Sequence, residues 1–269
     1  MALWPSSTLG FNQTGGTDTS TSLPATVTSS GTAHTKGAWT ELIASSEFNA
    51  TGLWLRVHNV RAGSGLSSPG LIDIGVGAAA SEQVIIENLF NNYDVGPISY
   101  WLPLVIPYAS RISVRWQTLA LSATITVSCS LVSDGGQAPT VATTYGADTA
   151  TSGGVALPTG MAANTKSAWT QVTAAMTSPA RYLVPLISPT STDPGLNTTD
   201  MLFDFGIGAA SSETLVLRDV PVSSTNNETF FHPRITVPVN IRAGSRLAVR
   251  YQKTTTVVEP PHVAAVCFS

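Results

Sequence analysis

The acids best placed for chemistry are Asp73, Glu82, Asp204 and Glu213, because one spacing carries them twice. Ile72-Asp-Ile-Gly-Val-Gly-Ala-Ala-Ala-Ser-Glu82 returns as Phe203-Asp-Phe-Gly-Ile-Gly-Ala-Ala-Ser-Ser-Glu213. Two carboxyl groups facing each other across a cleft, about 5 to 9.5 Å apart, could hydrolyse a glycosidic bond. The duplication argues against that use, since catalysis needs the pair in one copy only, whereas a structural role keeps both. The arginines repeat too: Ser110-Arg-Ile-Ser-Val-Arg-Trp-Gln117 is matched by Ser245-Arg-Leu-Ala-Val-Arg-Tyr-Gln252. Side chains alternate along a strand, so Arg111 and Arg115 share one face, as do Arg246 and Arg250. They either pair across strands with Asp73 or Glu82 and Asp204 or Glu213 of their own domain, or contact another subunit.

Other reactive types form no constellation. His34, His58, His232 and His262 have no His counterpart in the other copy, and no His/Cys group has metal-ligand spacing. Gly-x-Ser-x-Gly and the P-loop Gly-Lys-Ser/Thr are absent, and Asp-x-Gly-x-Gly lacks the third glycine of a dinucleotide fingerprint. Its glycines are expected to permit a bulged strand and a tight turn. The loops Asp193-Pro-Gly-Leu-Asn-Thr-Thr-Asp200 and Asn91 to Asp94 lack the ordered acidic spacing of a calcium loop. No catalytic residue, metal or cofactor is expected.

These residues need two similar scaffolds. The 269 residues divide into an extended N-terminal arm (1–34), a first β-domain (35–135), an extended linker or arm (136–164) and a second β-domain (165–269). The leaders belong to the repeat: Asp18-Thr-Ser-Thr-Ser22 matches Asp148-Thr-Ala-Thr-Ser152, and Thr35-Lys-Gly-Ala-Trp-Thr40 matches Thr165-Lys-Ser-Ala-Trp-Thr170. Each leader either lies along its own domain, reaches a neighbouring subunit, or stays disordered. Trp39 and Trp169 are expected to open the first strand of each copy and sit in the core, with Trp116 and Tyr251. Leu53 to His58 and Tyr182 to Ile187 read as the next strands, with Pro185 marking an edge or bulge. Tyr100 to Pro107 and Phe231 to Pro238 follow the duplicated element. Four extra residues in the second copy are expected around Asn240 to Gly244. Cys129 and Cys267, closing the last apolar run of each half, read as equivalent positions and as free, buried thiols. Seven or eight short strands per copy and no helical period describe an all-β chain of two tandem β-sandwiches, expected as jelly rolls.

Composition excludes some partners. Charged residues are 11% and the net charge is −3, so no basic surface invites nucleic acid. No run is long enough to cross a membrane, and the first residues lack the pattern of a signal peptide, so the four Asn-x-Ser/Thr sequons (Asn12, Asn49, Asn197, Asn227) carry no weight. Surface polarity comes instead from 65 Ser and Thr residues.

Residues 163–170, 204–213 and 241–250 (Ala-Asn-Thr-Lys-Ser-Ala-Trp-Thr, Asp-Phe-Gly-Ile-Gly-Ala-Ala-Ser-Ser-Glu and Ile-Arg-Ala-Gly-Ser-Arg-Leu-Ala-Val-Arg) resemble segments of tailed-bacteriophage virion structural proteins. The resemblance spans most of both repeats; Tyr108-Ala109 departs from the Ile-x-Ala-Gly form of the second copy. It implies a non-enzymatic particle component: a capsid decoration or cement protein, or a neck, tail or fibre part. Its partners would be the major capsid protein or other virion proteins, the chain itself would be a homo-oligomer, and its location would be the virion, assembled in the host cytoplasm. Two rivals stand beside it. A receptor- or carbohydrate-binding protein would use Trp54, Tyr93, Tyr100 and Trp101 as a platform, although Trp54 reads as core. A polysaccharide hydrolase would need the facing carboxylates.

Overall fold

The computed structural model describes residues 11–18, 23–59, 69–91, 98–133, 136–188, 199–225, 228–231, 235–254 and 260–269. The calcium-loop candidates, Tyr93, His232, Asn197 and Asn227 lie wholly or largely outside them. The first half holds β1 (Phe11–Gly15), β2 (Thr17–Asp18), β3 (Leu23–Thr28), β4 (Thr40–Ile43), β5 (Gly52–Asn59), β6 (Gly70–Val76), β7 (Gln83–Asn91), β8 (Ile98–Leu102), β9 (Ile112–Thr118) and β10 (Thr124–Ser133). The second holds β11 (Ala142–Tyr145), β12 (Ala147–Asp148), β13 (Gly153–Ala156), β14 (Thr170–Thr173), β15 (Ala180–Ser188), β16 (Thr199–Ile207), β17 (Thr214–Thr225), β18 (Glu228–Phe231), β19 (Val237–Ile241), β20 (Leu247–Lys253) and β21 (His262–Phe268).

Strand order identifies the architecture. The first domain has one sheet with the path β3-β10-β5-β8 and another with β4-β9-β6-β7; the second has β13-β21-β15-β19 and β14-β20-β16-β17. Numbered within each copy, both run 1-8-3-6 against 2-7-4-5, the jelly-roll order of two interlocked Greek keys. The chain is therefore all-β, two tandem β-sandwiches, and among the described residues no helix is long and apolar enough to cross a membrane.

Alternation builds each core. On β5, Leu53, Leu55 and Val57 are buried, while Trp54, Arg56 and His58 are only partly covered on the other face. Trp116 and Tyr251 occupy matching core positions, and Tyr251 stacks on Phe203 with ring centroids 5.5 Å apart. Tyr100 is fully buried and donates to Asn91 Oδ1 at 2.8 Å.

Several sequence expectations move. The described parts of the leaders lie along their own domains: β1 and β3 pair with β10, and β11 and β13 with β21. Both sandwiches thus begin inside the segments expected to be arms, because β1 and β3, and β11 and β13, cover the edges that β10 and β21 would otherwise leave unpaired. Trp54 is not core; it faces outward with Trp101, centroids 5.2 Å apart. The counterpart of β8 in the second copy is β19, which pairs with β15 and overlaps the expected Phe231 to Pro238 run only at Val237 and Pro238. Its ladder also relocates the four extra residues. Leu53 pairs with Leu102 and Leu183 with Val237, so the offset of 135 (237 − 102) is already present in this strand. The insertion therefore precedes β19, where β18 extends the second copy's sheet. Pro185 sits in an interior strand, but beyond the last β19 partner of β15, where one flank makes no ladder among the described residues.

The cysteines are not equivalent. Leu131 and Cys267 are the partners of Leu53 and Leu183, whereas Cys129 and Ala265 are the partners of Gly15 and Tyr145. Both thiols are free and buried. Burial pushes each up to about 12, so neither ionises near neutrality. A thiol reagent at pH 8 should therefore find no reactive cysteine in the folded chain and two after denaturation, read as absorbance of the released thiolate.

Candidate functional site

The duplicated acids and arginines come together on the outward faces of the 2-7-4-5 sheets. Asp73 on β6 and Arg115 on β9 are direct register partners, as are Asp204 and Arg250 on β16 and β20. Asp73 accepts from Lys36 Nζ at 2.6 Å, Arg115 Nε at 2.9 Å and the Asn88 amide at 2.9 Å. Asp204 repeats the set with Lys166 Nζ at 2.9 Å, Arg250 Nε at 2.8 Å and the Asp219 amide at 2.9 Å. Asn88 and Asp219 present those amides from positive φ, 53° and 51°, at the bulge of β7 and of β17.

A tryptophan roofs each cluster. The Arg115 guanidinium lies 4.5 Å from the Trp39 ring centroid, and that of Arg250 lies 4.7 Å from Trp169. Trp39 and Trp169 are thus half-buried lids outside the core, just ahead of β4 and β14, where their rings cover charge that a core position could not hold. This explains the repeated Gly-x-Gly. A Cβ on Gly75 or Gly206 would meet the Trp39 or Trp169 ring at 2.8 Å, while Gly77 and Gly208 adopt φ near +117° and +119°. The first glycine makes room for the lid and the second makes the turn.

The other arginines close the turn. Arg111 Nη1 donates to Glu82 at 2.7 Å and its Nε to Glu41 at 2.6 Å; Arg246 reaches Glu213 at 2.7 Å and Gln171 at 3.2 Å. Burial raises the Glu82 and Glu213 carboxyls, but the arginine bonds and backbone donors outweigh it and hold both below their ordinary 4.5. Asp204 is likewise held below its ordinary 3.8, burial being overcome by the Asp219 amide, Lys166 and Arg250. Burial lowers Lys36 despite the attraction of Asp73.

All eight charged residues singled out from the sequence thus pair within their own domains. Lys36 and Lys166 also belong to the clusters; Thr-Lys-x-Ala-Trp-Thr repeats both, but as a marker of the repeat it does not say that its lysine reaches the carboxylate of a later strand. Each carboxylate is engaged by cations or amides, which leaves it poorly suited to take a proton. A shallow depression beside Arg111, lined by Val76, Gly77, Ser81 and Ser110, contains no free base among the described residues.

Among the described residues, two hydroxyl–imidazole contacts are present. His34 Nδ1 lies 3.0 Å from Ser152 Oγ, and His58 Nε2 lies 2.7 Å from Ser128 Oγ. Ser152 is 0% exposed and closed off from substrate, and no carboxylate hydrogen-bonds either imidazole among the described residues. Among the described residues no group of three or more His, Cys, Asp or Glu is placed to hold a metal ion.

The His34–Ser152 contact belongs to the second notable surface, the junction of the domains. Gln117 donates to the Thr149 carbonyl at 2.9 Å and to Ser152 Oγ at 3.0 Å, and Thr144 Oγ1 donates to the Glu87 carbonyl. Behind them Val184, Leu186, Ala264, Val266 and Phe268 join the apolar cluster of the first domain, while alternate residues Leu183, Ile187, Val263, Ala265 and Cys267 fill their own. Leu71 and Phe90, register partners on the face of Gln117, are buried at this junction. The outer 1-8-3-6 face of the second domain therefore packs on the outer 2-7-4-5 face of the first.

No protein-family profile matches the chain, and no curated protein does. Among solved structures, the STIV MCP aligns with 97% of this chain and 96% of its own, at 7% identity and a TM-score of 0.38. The jelly-roll assignment rests on strand order and not on that overlap.

The clusters should behave as structural ion pairs. Asp204→Ala is expected to cost roughly 2 to 3 kcal/mol in urea unfolding, less than a fully enclosed pair because Lys166 and Arg250 can turn to water. Groups with depressed folded pKa values stabilise fully above their ordinary values and lose that contribution as pH falls through the folded ones. The urea midpoint should therefore hold from pH 8 to about 5.5 and fall below about pH 4.5, with Glu213→Gln flattening the decline.

Proposed function

We propose that this chain is a non-enzymatic structural component of a virion, and specifically a capsid decoration or cement protein of a tailed bacteriophage. The observation that supports it most is the front-to-back junction, which joins two jelly rolls into one block. Each buried Val, Leu or Phe at such a contact contributes roughly 1.5 to 3 kcal/mol, so several together hold the domains against independent motion. The block offers two similar domains on one chain, and linked weak contacts gain through effective concentration. Each of the duplicated carboxylates is paired with an arginine of its own domain, which supports a building role. Low charge and abundant hydroxyls agree with it as well.

A second reading has one observation in its favour. Trp54 and Trp101 pair on the outer face of the first domain, their planes inclined at 47°. Such rings suit the apolar face of a sugar, so the protein would then be a tail, neck or fibre part binding receptor or carbohydrate.

Cosedimentation of the purified protein with intact phage particles and with expanded empty capsids separates the two. Saturable binding at a fixed copy number per capsid is the expected result. Binding to host cells or glycans with none to either shell would overturn the decoration role and favour the second reading. Reproducible release of sugar from a polysaccharide would overturn both.

A further inference from the structure

The junction between the domains is heterologous: it joins a 1-8-3-6 face to a 2-7-4-5 face. Each domain has both faces, so one of each is left over; the second domain reaches the first domain's remaining sheet at its β8 edge, where Thr236 Oγ1 donates to the Trp101 carbonyl. We infer that the unused pair is a self-association surface, the outer 1-8-3-6 face of one chain's first domain receiving the outer 2-7-4-5 face of another chain's second domain. The inference concerns the chain's contact with itself and stands whether or not the virion reading does.

Repeat equivalence carries the argument. Gln117, which locks the internal junction, corresponds to Gln252, and their register partners Leu71 and Leu202 also correspond. Gln117 has three acceptors, whereas the half-buried Gln252 side chain makes no hydrogen bond among the described residues. Leu202 is only partly covered, and its partner Pro221 is exposed where Phe90 is buried. Two of the three acceptors of Gln117, the Thr149 carbonyl and Ser152 Oγ, come from the neighbouring domain, so this side chain is satisfied chiefly across the junction. Thr144, which donates across the junction, corresponds to the exposed Thr14. A chain cannot bring its own Gln252 to its own first-domain face while the internal junction holds them on opposite sides, so a second copy is the partner that fits.

The two receiving faces differ in a way that suits this division. Val184, Leu186, Ala264 and Val266 are replaced on the first domain by Trp54, Arg56, Ser128 and Ser130, read from the ladders to β10 and β21. The internal junction is never open to water and is apolar. A surface that is wet whenever the chain is alone keeps polar groups, with Arg56 bonded to Ser130 and His58 to Ser128, and binds reversibly. Heterologous contacts repeat, so copies either close into a ring or continue as a filament.

Sedimentation velocity of the full chain at rising concentration tests this, with one variant blocked on each face. Ser99 is exposed beside its register partner Arg56, so Ser99→Arg blocks the first-domain face; Pro221→Arg blocks the second-domain face. Wild type should associate with concentration, and each variant alone should remain a 28.0 kDa monomer with an unchanged melting temperature. Mixed in equal amounts, the variants should form one-to-one dimers and nothing larger, since each retains the face the other lacks. Gln252→Ala, which perturbs no core, should weaken wild-type association about 3- to 10-fold. A wild type that stays monomeric throughout, either variant still assembling by itself, or a mixture that does not pair would overturn the inference.

Discussion

Val184, Leu186, Val266 and Phe268 point out of the domain that contains them, and much of the molecule follows from the need to cover them. An antiparallel sheet normally keeps one wet face, which gives its strands a clean alternation. β15 and β21 have none, because both of their faces are buried: one in their own sandwich, the other on the neighbouring domain. That doubly buried sheet makes the tandem repeat a single body. It also sets the direction of packing, with the second domain's 1-8-3-6 face on the first domain's 2-7-4-5 face.

The outer 2-7-4-5 faces solve a different problem, that of holding charge against a sheet. Asp73 and Asp204 are nearly inaccessible, and each is answered by a lysine, an arginine and a backbone amide under a tryptophan lid. Buried charge is tolerated when its hydrogen bonds are complete, and a complete set makes a poor general base. The arrangement ties the segment before β4 or β14 to three strands and fixes where the turn after Gly77 or Gly208 can lie. Glu82 and Glu213 then anchor that turn through Arg111 and Arg246. The same geometry that looked like candidate chemistry in the sequence is thus a pair of clamps.

A function built on surfaces is consistent with these two features. The clamps stiffen each sandwich and the junction fuses the pair, leaving a rigid block whose open faces are rich in hydroxyls and tryptophan. Particle components and glycan binders both use such faces, and the Trp54–Trp101 pair lies on the one that the internal packing leaves open.

The duplication, the all-β class and the composition of both clamps could be read from the chain, because they depend on local alternation and on motifs that recur intact: Asp-x-Gly-x-Gly, Ser-Arg-x-x-Val-Arg and Thr-Lys-x-Ala-Trp-Thr. The last was only half understood, since nothing local says that a lysine and a tryptophan one turn before a strand will fold back over it. Equivalence across the repeats was less legible where it depended on ladders. Two cysteines ending similar apolar runs look matched, yet the pairing of β10 and β21 with their neighbours sets them two residues apart. The leaders looked like arms because their Ser- and Thr-rich composition has little apolar content, and only the open edges of β10 and β21 give their backbones partners. The outward turn of Trp54 and the apolar run of β15 were decided last. Which face of a strand is wet depends on what packs against the sheet, and that is a property of the assembled domains, not of the strand.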